Sequence, residues 1–528
     1  RHPISGSDEG DFGMTMIRSG ALIAGLAALA LATPCEAHGK HKPAKVQRLA
    51  QMTSAPAATP AELDVPRPDM TLEEALEIAY ETNPDLAAAQ AGLRATDEQV
   101  AQANGGWRPT ISLDASYGVQ KYFFPVLISA GGTISSHSTT TPPPPTTRIV
   151  NESITDHPLN GQITVSQPIF RSGRTIAEIS RAKALVRAAR AQLTATEQTV
   201  LLAAVTAYMN VVRDSAIVRL REHNVEVLRR QRDSTQLEFK AGSLTRTDVA
   251  QSEARLAVAQ SDLTTARGQL AISRADFMQS VGRPAETLES KPSLPKVPSD
   301  QDAVLSLALR QSPALLQAQA NERAANYAVD DAWGAMGPTL SLQGQYQYSQ
   351  SALNSVQGFG AGGSPESVAQ HALAAVAELH VPIYQAGVEE ANVRQSRELH
   401  AQSKLNVAST DRQVHEAVEA TWSNFQSALG TIESNEATQK ADEIAFEGVS
   451  KEQQVGGRTV LDVLNAEQEL LNAQVALVSS QRNAVVAAYQ VLAAGGALTA
   501  KSLGLKVKLY DPMEHYDNDA AAFVGFGG

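Results

Sequence analysis

The 528-residue sequence predicts an α+β membrane protein built as a tandem repeat, each half carrying a helix, two β-strands and a very long helical hairpin. Three observations lead there. The chain aligns with itself from Thr71 onward; four segments alternate apolar and polar residues over about ten positions; and two stretches of about seventy residues contain no proline. Self-similarity at a fixed offset marks a duplicated architecture, in which each half repeats one supersecondary unit.

"TLEEALEIAYETNPDLAAAQAGLRATDEQV", from Thr71, aligns with "QDAVLSLALRQSPALLQAQANERAANYAVD", from Gln301, at an offset of about 229. Asn83-Pro84 then falls on Ser312-Pro313, and Tyr117 on Tyr346. A second block keeps an offset of about 214, so that "QPIFRSG" (167–173) meets "VPIYQAG" (381–387) and Asp248 meets Asp462. The offsets differ because the loop after Tyr117 is longer than the one after Tyr346.

Before the repeats, residues 14–37 read as a secretory signal: Arg18, an apolar run from Ala21 to Leu31, and small residues leading to cleavage after Ala37. Translation is expected to begin at Met14 or Met16. Cys35 is the only cysteine, and Pro34 stands where a lipidated cysteine needs a small residue, so ordinary cleavage is the expectation and the mature chain carries no thiol. Residues 38–70 read as a flexible segment. No run of about eighteen apolar residues follows the signal, so entry into a membrane would require a closed β-barrel.

The first repeat spans 71–300. Ile111, Leu113, Ala115 and Tyr117 alternate with Thr110, Ser112, Asp114 and Ser116, which predicts strands over about 109–124 and 159–170. The connecting residues 121–158 include "STTTPPPPTTRIVNES" and read as an exposed loop. A helix follows over about 172–240, roughly 100 Å long at 1.5 Å per residue, then a tip at 241–246 and a return helix at 247–282. The second repeat, 301–496, predicts strands at about 338–349 and 372–384, a helix over 388–455, a tip at 456–459 and a return helix over 460–494. Residues 497–528 form a tail.

Helices this long need lateral neighbours. Val249, Leu256, Leu263, Leu270 and Phe277 recur every seven residues, as do Val463, Leu470, Leu477, Ala484 and Val491, each with a companion seam of Ala and Ser. Large residues facing small ones suit close antiparallel packing. The composition agrees, with 43% apolar but only 5% aromatic residues. A net charge of −12, with both signs mixed along the helices, excludes a nucleic-acid partner. The helices alone leave a soluble antiparallel coiled coil open; four strands of about ten residues joined to them behind a secretory signal point to a membrane barrel.

No enzyme constellation is present. His400 and His415 are too far apart for one helical face, and His38 and His41 lie in a Lys-rich segment, so no zinc site and no cofactor is expected. The sequence also lacks a phosphate-cradling glycine loop, so no nucleotide hydrolysis by this chain is expected.

Through "TLEEAL", "NPDLAAAQAGL", "WRPTISLDASY", "QPIFRSG", "AGSLTRTDV" and "VGGRTVLDVLNAEQELLNAQ", the chain resembles the TolC family of outer-membrane channel proteins over about 440 residues. The ending "YDPMEHYDNDAAAFVG" is similar to the tail of members serving type I secretion, which usually carry tryptophan near the position of Phe523. The resemblance implies a homotrimer whose four strands per chain close a twelve-stranded barrel in outer-membrane lipid, continued by a periplasmic α-helical barrel. It also implies partners: a periplasmic adaptor (membrane fusion protein) and an inner-membrane ABC or RND transporter, for protein secretion or drug efflux.

The tips acquire roles by the same resemblance. Gly242, Ser243 and Leu244 in one tip, and Val455, Gly456 and Gly457 in the other, match the adaptor-docking surface. Arg458 matches a gating arginine, Thr247 and Asp248 the residues it bonds on a neighbouring hairpin, and Asp462 one aspartate of a pore-constricting ring. Asn465 replaces a second ring aspartate, and Gln453 replaces a tyrosine, which implies fewer closing links. A different reading of Arg458 and Asp462 is a solvated intrahelical pair. The rival for the whole chain is a periplasmic coiled-coil adaptor or scaffold that never enters a membrane.

Overall fold

The computed structural model describes residues 69–129, 147–351 and 368–519. The expected signal peptide, Cys35, residues 38–68, the middle of both strand-connecting loops and Phe523 lie outside the described residues.

Each repeat opens with a broken helix. α1 (Leu72–Thr82) stops at Asn83, whose Oδ1 accepts from the backbone N–H of Asp85 at 2.9 Å and of Leu86 at 3.3 Å, and Pro84 begins α2 (Pro84–Asn104). A proline at the first helical position gives up an N–H that has no partner there anyway. The second repeat places Ser312-Pro313 at the same junction, between α5 (Gln301–Gln311) and α6 (Pro313–Ala335).

The strands are β1 (Thr110–Tyr117), β2 (Gln120–Ser129), β3 (Thr147–Asp156), β4 (Leu159–Phe170), β5 (Thr339–Ser351) and β6 (Val368–His380). β1, β4, β5 and β6 form one antiparallel sheet in that order, and β2 pairs with β3. Thr110 pairs with Ser166 and Tyr117 with Leu159, then Gln120 with Asp156 and Ser129 with Thr147, so the register never shifts. The two ladders are thus one long hairpin, briefly interrupted at Gly118-Val119 and His157-Pro158.

This corrects the expectation of an exposed loop over 121–158. Residues 120–129 and 147–156 are paired strands, and only the stretch between Ser129 and Thr147 connects them. The local pattern hides them because "YFFPVLI" is a continuous apolar run and its partner is largely polar, so neither alternates. The last strand also ends earlier than expected, at His380.

α3 (Arg174–Lys240) and α7 (Val388–Gln454) each run 67 residues unbroken. α4 (Arg246–Val281) and α8 (Val460–Ala494) return from them. Toward the sheet, α3 is flanked by α2 and α6; toward the tips, by α4 and α8. By length and composition α3 is apolar enough to cross a membrane, but half of that stretch is buried within the protein. Leu201, Ala204, Val205 and Tyr208 pack with Leu76, Phe277 and Val485 in the main core. It is a core helix.

Two short helices, α9 (Ala500–Leu503) and α10 (Glu514–Asp519), lie in the tail, which is tied back to the first repeat. Glu77 accepts from the Lys506 N–H at 2.7 Å, and Tyr80 Oη from the Tyr510 N–H at 3.2 Å.

Candidate functional site

Two features of the described residues have functional consequences: the sheet and the hairpin tips. In an antiparallel sheet, directly paired residues share a face. The registers therefore line up Leu113, Ile163, Tyr346 and Leu373 in one row, and Ile111, Val165, Gly344 and Ala375 in the next, across all four strands. The opposite face carries Asp114, Gln162, Gln347 and Ala372, then Ser112, Thr164, Gln345 and Ala374. Among the described residues no other element covers the apolar face: Leu113 is 70% exposed and Leu373 84% exposed. Among the described residues, β1 and β6 are the two outer strands of this sheet, each paired on one side by a strand of the sheet. A single layer that is apolar on one side, polar on the other and bounded by two such outer strands is incomplete in water.

The tips are built twice in the same way. After α3, Gly242 adopts φ 81°, and the N–H groups of Gly242 and Ser243 bond back to the carbonyls of Phe239 and Glu238, each at 3.0 Å. After α7, Gly456 adopts φ 78°, and Gly456 and Gly457 bond to Gln453 at 2.9 Å and Glu452 at 2.8 Å. This doubly bonded helix end needs a left-handed residue, which favours glycine. The return helices start in capping boxes. Asp248 Oδ2 accepts from the Thr245 N–H at 2.9 Å and from its hydroxyl at 2.7 Å; Asp462 Oδ2 accepts from the Thr459 N–H at 3.0 Å and hydroxyl at 2.8 Å. These bonds, from the Thr245 hydroxyl to Asp248 and from the Thr459 backbone to Asp462, hold both carboxyls below the usual aspartate range.

The expected gate residues take the following places. Arg458 Nε donates to Glu452 Oε2 at 2.8 Å, closing the tip on itself. Within one chain it is thus engaged by Glu452, not by Thr247 or Asp248. Asn465 Oδ1 accepts from Arg255 on α4 at 3.0 Å, a link between the two hairpins. Val455 is 84% exposed, whereas Leu244 is half-buried against Val225, Leu228, Leu256, Ala259, Val460 and Leu464. Sequence reasoning missed Glu452, Arg255 and the capping threonines Thr245 and Thr459. The capping boxes were legible as Thr-x-x-Asp before a heptad; the Arg255–Asn465 link joins residues 210 apart and was not.

The sequence profile of the outer membrane efflux protein family matches residues 75–283 and 304–497, one match per repeat. The chain belongs to that family. It is 32% identical over 449 residues to the outer membrane efflux protein BepC of Brucella suis, covering 84% of this chain and 90% of BepC. It is 22% identical over 445 residues to outer membrane protein TolC of Vibrio cholerae, covering 83% and 94%. The crystal structure of the outer membrane protein VceC of Vibrio cholerae superposes with a TM-score of 0.64 at 20% identity, covering 80% of this chain and 96% of VceC. The fold is therefore that of an outer-membrane channel chain, and this efflux protein resides in the outer membrane with its helical hairpins beyond the barrel.

Proposed function

We propose that three copies of this efflux protein form one exit duct that docks with a periplasmic adaptor and an inner-membrane ABC or RND pump, exporting small molecules or proteins. The observation that carries this reading is the sheet. Four strands cannot close on themselves, and an open edge is untenable in lipid. Three chains supply twelve strands, pair every β6 edge with a β1 edge, turn the Leu113–Leu373 row to lipid and leave the Asp114–Gln347 row to line a polar lumen.

At the far end, the three pairs of tips meet. Three copies of Asp462 around a narrow axis concentrate negative potential and favour cations. Arg458 exchanges its bond to Glu452 for Thr247 and Asp248 of a neighbouring hairpin when the entrance is shut. Gly242, Ser243, Leu244, Val455, Gly456 and Gly457 receive the adaptor tip. The periplasmic scaffold reading is disfavoured by the uncovered apolar face, which such a protein would expose to water.

Fractionation tests the proposal. A heat-resistant trimer released from the outer membrane only by detergent supports it; a protein extracted without detergent refutes it.

A further inference from the structure

On α8, two turns above the tip, Val460, Leu464, Glu467 and Leu471 are all buried. Val460 and Leu464 pack against Val225 and Leu228 of α3 and against Leu256 and Ala259 of α4. Glu467 shares this stripe and is only 7% exposed within a single chain, so assembly can only bury it further. The bond from Arg482 to Asn210 runs α8 antiparallel to α3, and the one from Asn435 to the Ala476 carbonyl runs it antiparallel to α7. Those registers place Glu467 level with Asn224 and Val225 on one side and with Ile444 on the other.

Among the described residues, none gives Glu467 a hydrogen bond or an ion pair. The charged groups near its level are engaged elsewhere or exposed, apart from the half-buried Asp442 on α7, which is acidic and offers no counter-charge. On α3, Arg221 pairs with Asp262 at 2.8 Å, Glu222 with Arg267 at 2.7 Å, and Glu226 with Arg230 at 3.1 Å. On α4, Arg255 bonds Asn465 and Glu253 bonds Gln236. On α7, Glu447 pairs with Lys451 at 3.8 Å, while Lys440 and Glu443, like His223 and Arg229 of α3, are exposed. Glu253 is the repeat partner of Glu467 and is exposed, so the burial comes from the seat of α8 and not from the motif.

We propose that Glu467 is a positioning residue of the gate: uncharged, it lets α8 seat against α3 and α4 and holds Arg458 and Asp462 at the closed tip; ionised, it loosens that seat and favours opening. The proposal rests on the gate reading above. Burial alone lifts this carboxyl from its ordinary 4.5 to about 7, because no partner offsets the lost hydration. Linkage fixes the direction. The seated form holds its proton more tightly than a released, hydrated one, so the preference for the seated form is complete below about 4.5 and is lost as pH rises toward 7. Above that it changes no further.

The test uses the purified full-length trimer in planar bilayers. For the wild type, the open-to-closed ratio should rise by at least on the order of a hundred-fold between pH 4.5 and 7, because each of the three carboxyls changes it about tenfold per pH unit in that window, and then level off. Glu467→Gln, which keeps the shape and never ionises, should stay closed and pH-independent; a variant that keeps the wild-type response overturns the proposal. Arg458→Ser, measured alongside, reports on the gate itself. If it leaves conductance unchanged, the gate reading fails, and thermal unfolding then judges Glu467 separately. The Gln variant should outlast the wild type by a margin that opens between pH 4.5 and 7, and parallel curves would refute the burial penalty.

Discussion

Asp462 caps its own helix, its Oδ2 accepting both the N–H of Thr459 at 3.0 Å and its hydroxyl at 2.8 Å. The same carboxylate is the proposed pore ring, so removing it changes two properties at once. Asn keeps an acceptor for the cap and removes the charge, whereas Ala removes both. In planar bilayers Asp462→Asn should weaken cation selectivity with a smaller loss of thermal stability than Asp462→Ala. Asp462→Ala should lose selectivity and also lower the thermal midpoint, because the Thr459 N–H and hydroxyl lose their acceptor.

Arg458 has two competing acceptors under this proposal, Glu452 within the chain and Thr247 with Asp248 on a neighbour. Arg458→Ser should raise single-channel conductance by removing the closing link. Glu452→Gln should act in the opposite direction, because it weakens the competitor and leaves the arginine free for the closed contact. Equal conductance in both variants and in wild type would leave these residues as ordinary surface charges.

Gly456 sits at φ 78° with no atom within 4 Å of where a Cβ would stand. Substitution therefore strains the backbone without a clash. Gly456→Val should cost about 1–2 kcal/mol locally and splay the tip. Heat-resistant trimers should still appear on gels while export falls; wild-type export would remove this tip from the docking surface.

Asp214 is buried on α3 and accepts two hydrogen bonds from the Arg213 guanidinium, at 2.7 and 3.1 Å, and one from the Ser273 hydroxyl on α4. Asp214→Ala leaves the arginine without its partner at the centre of the bundle, which costs about 3–5 kcal/mol. The thermal midpoint should fall, and Asp214→Asn should recover part of it.

The connection between Ser129 and Thr147 joins strands whose register is already set by ten residue pairs. Deleting 137–146 should leave trimer assembly and export intact. Loss of the trimer would count against a strand hairpin whose ends are held by pairing.

The sequence by itself determined the duplication, the two 67-residue helices and the twin tips. These are local properties: a proline-free run, a three-to-four-residue apolar period, a glycine at a left-handed helix end and a threonine three residues before an aspartate are all written in neighbouring positions. It also placed β1, β4 and β5, because one exposed and one apolar face impose strict alternation. Tertiary structure decided what depends on distant pairing. β2 and β3 do not alternate and become strands only because the β1–β4 register continues through them. Arg255 meets Asn465, and Arg482 meets Asn210, across hairpins whose relative register no local pattern encodes. Glu467 and Glu253 occupy the same position in the repeat, yet one carboxyl is buried and the other is not. The difference lies in what packs against the helix, and only the folded chain supplies that.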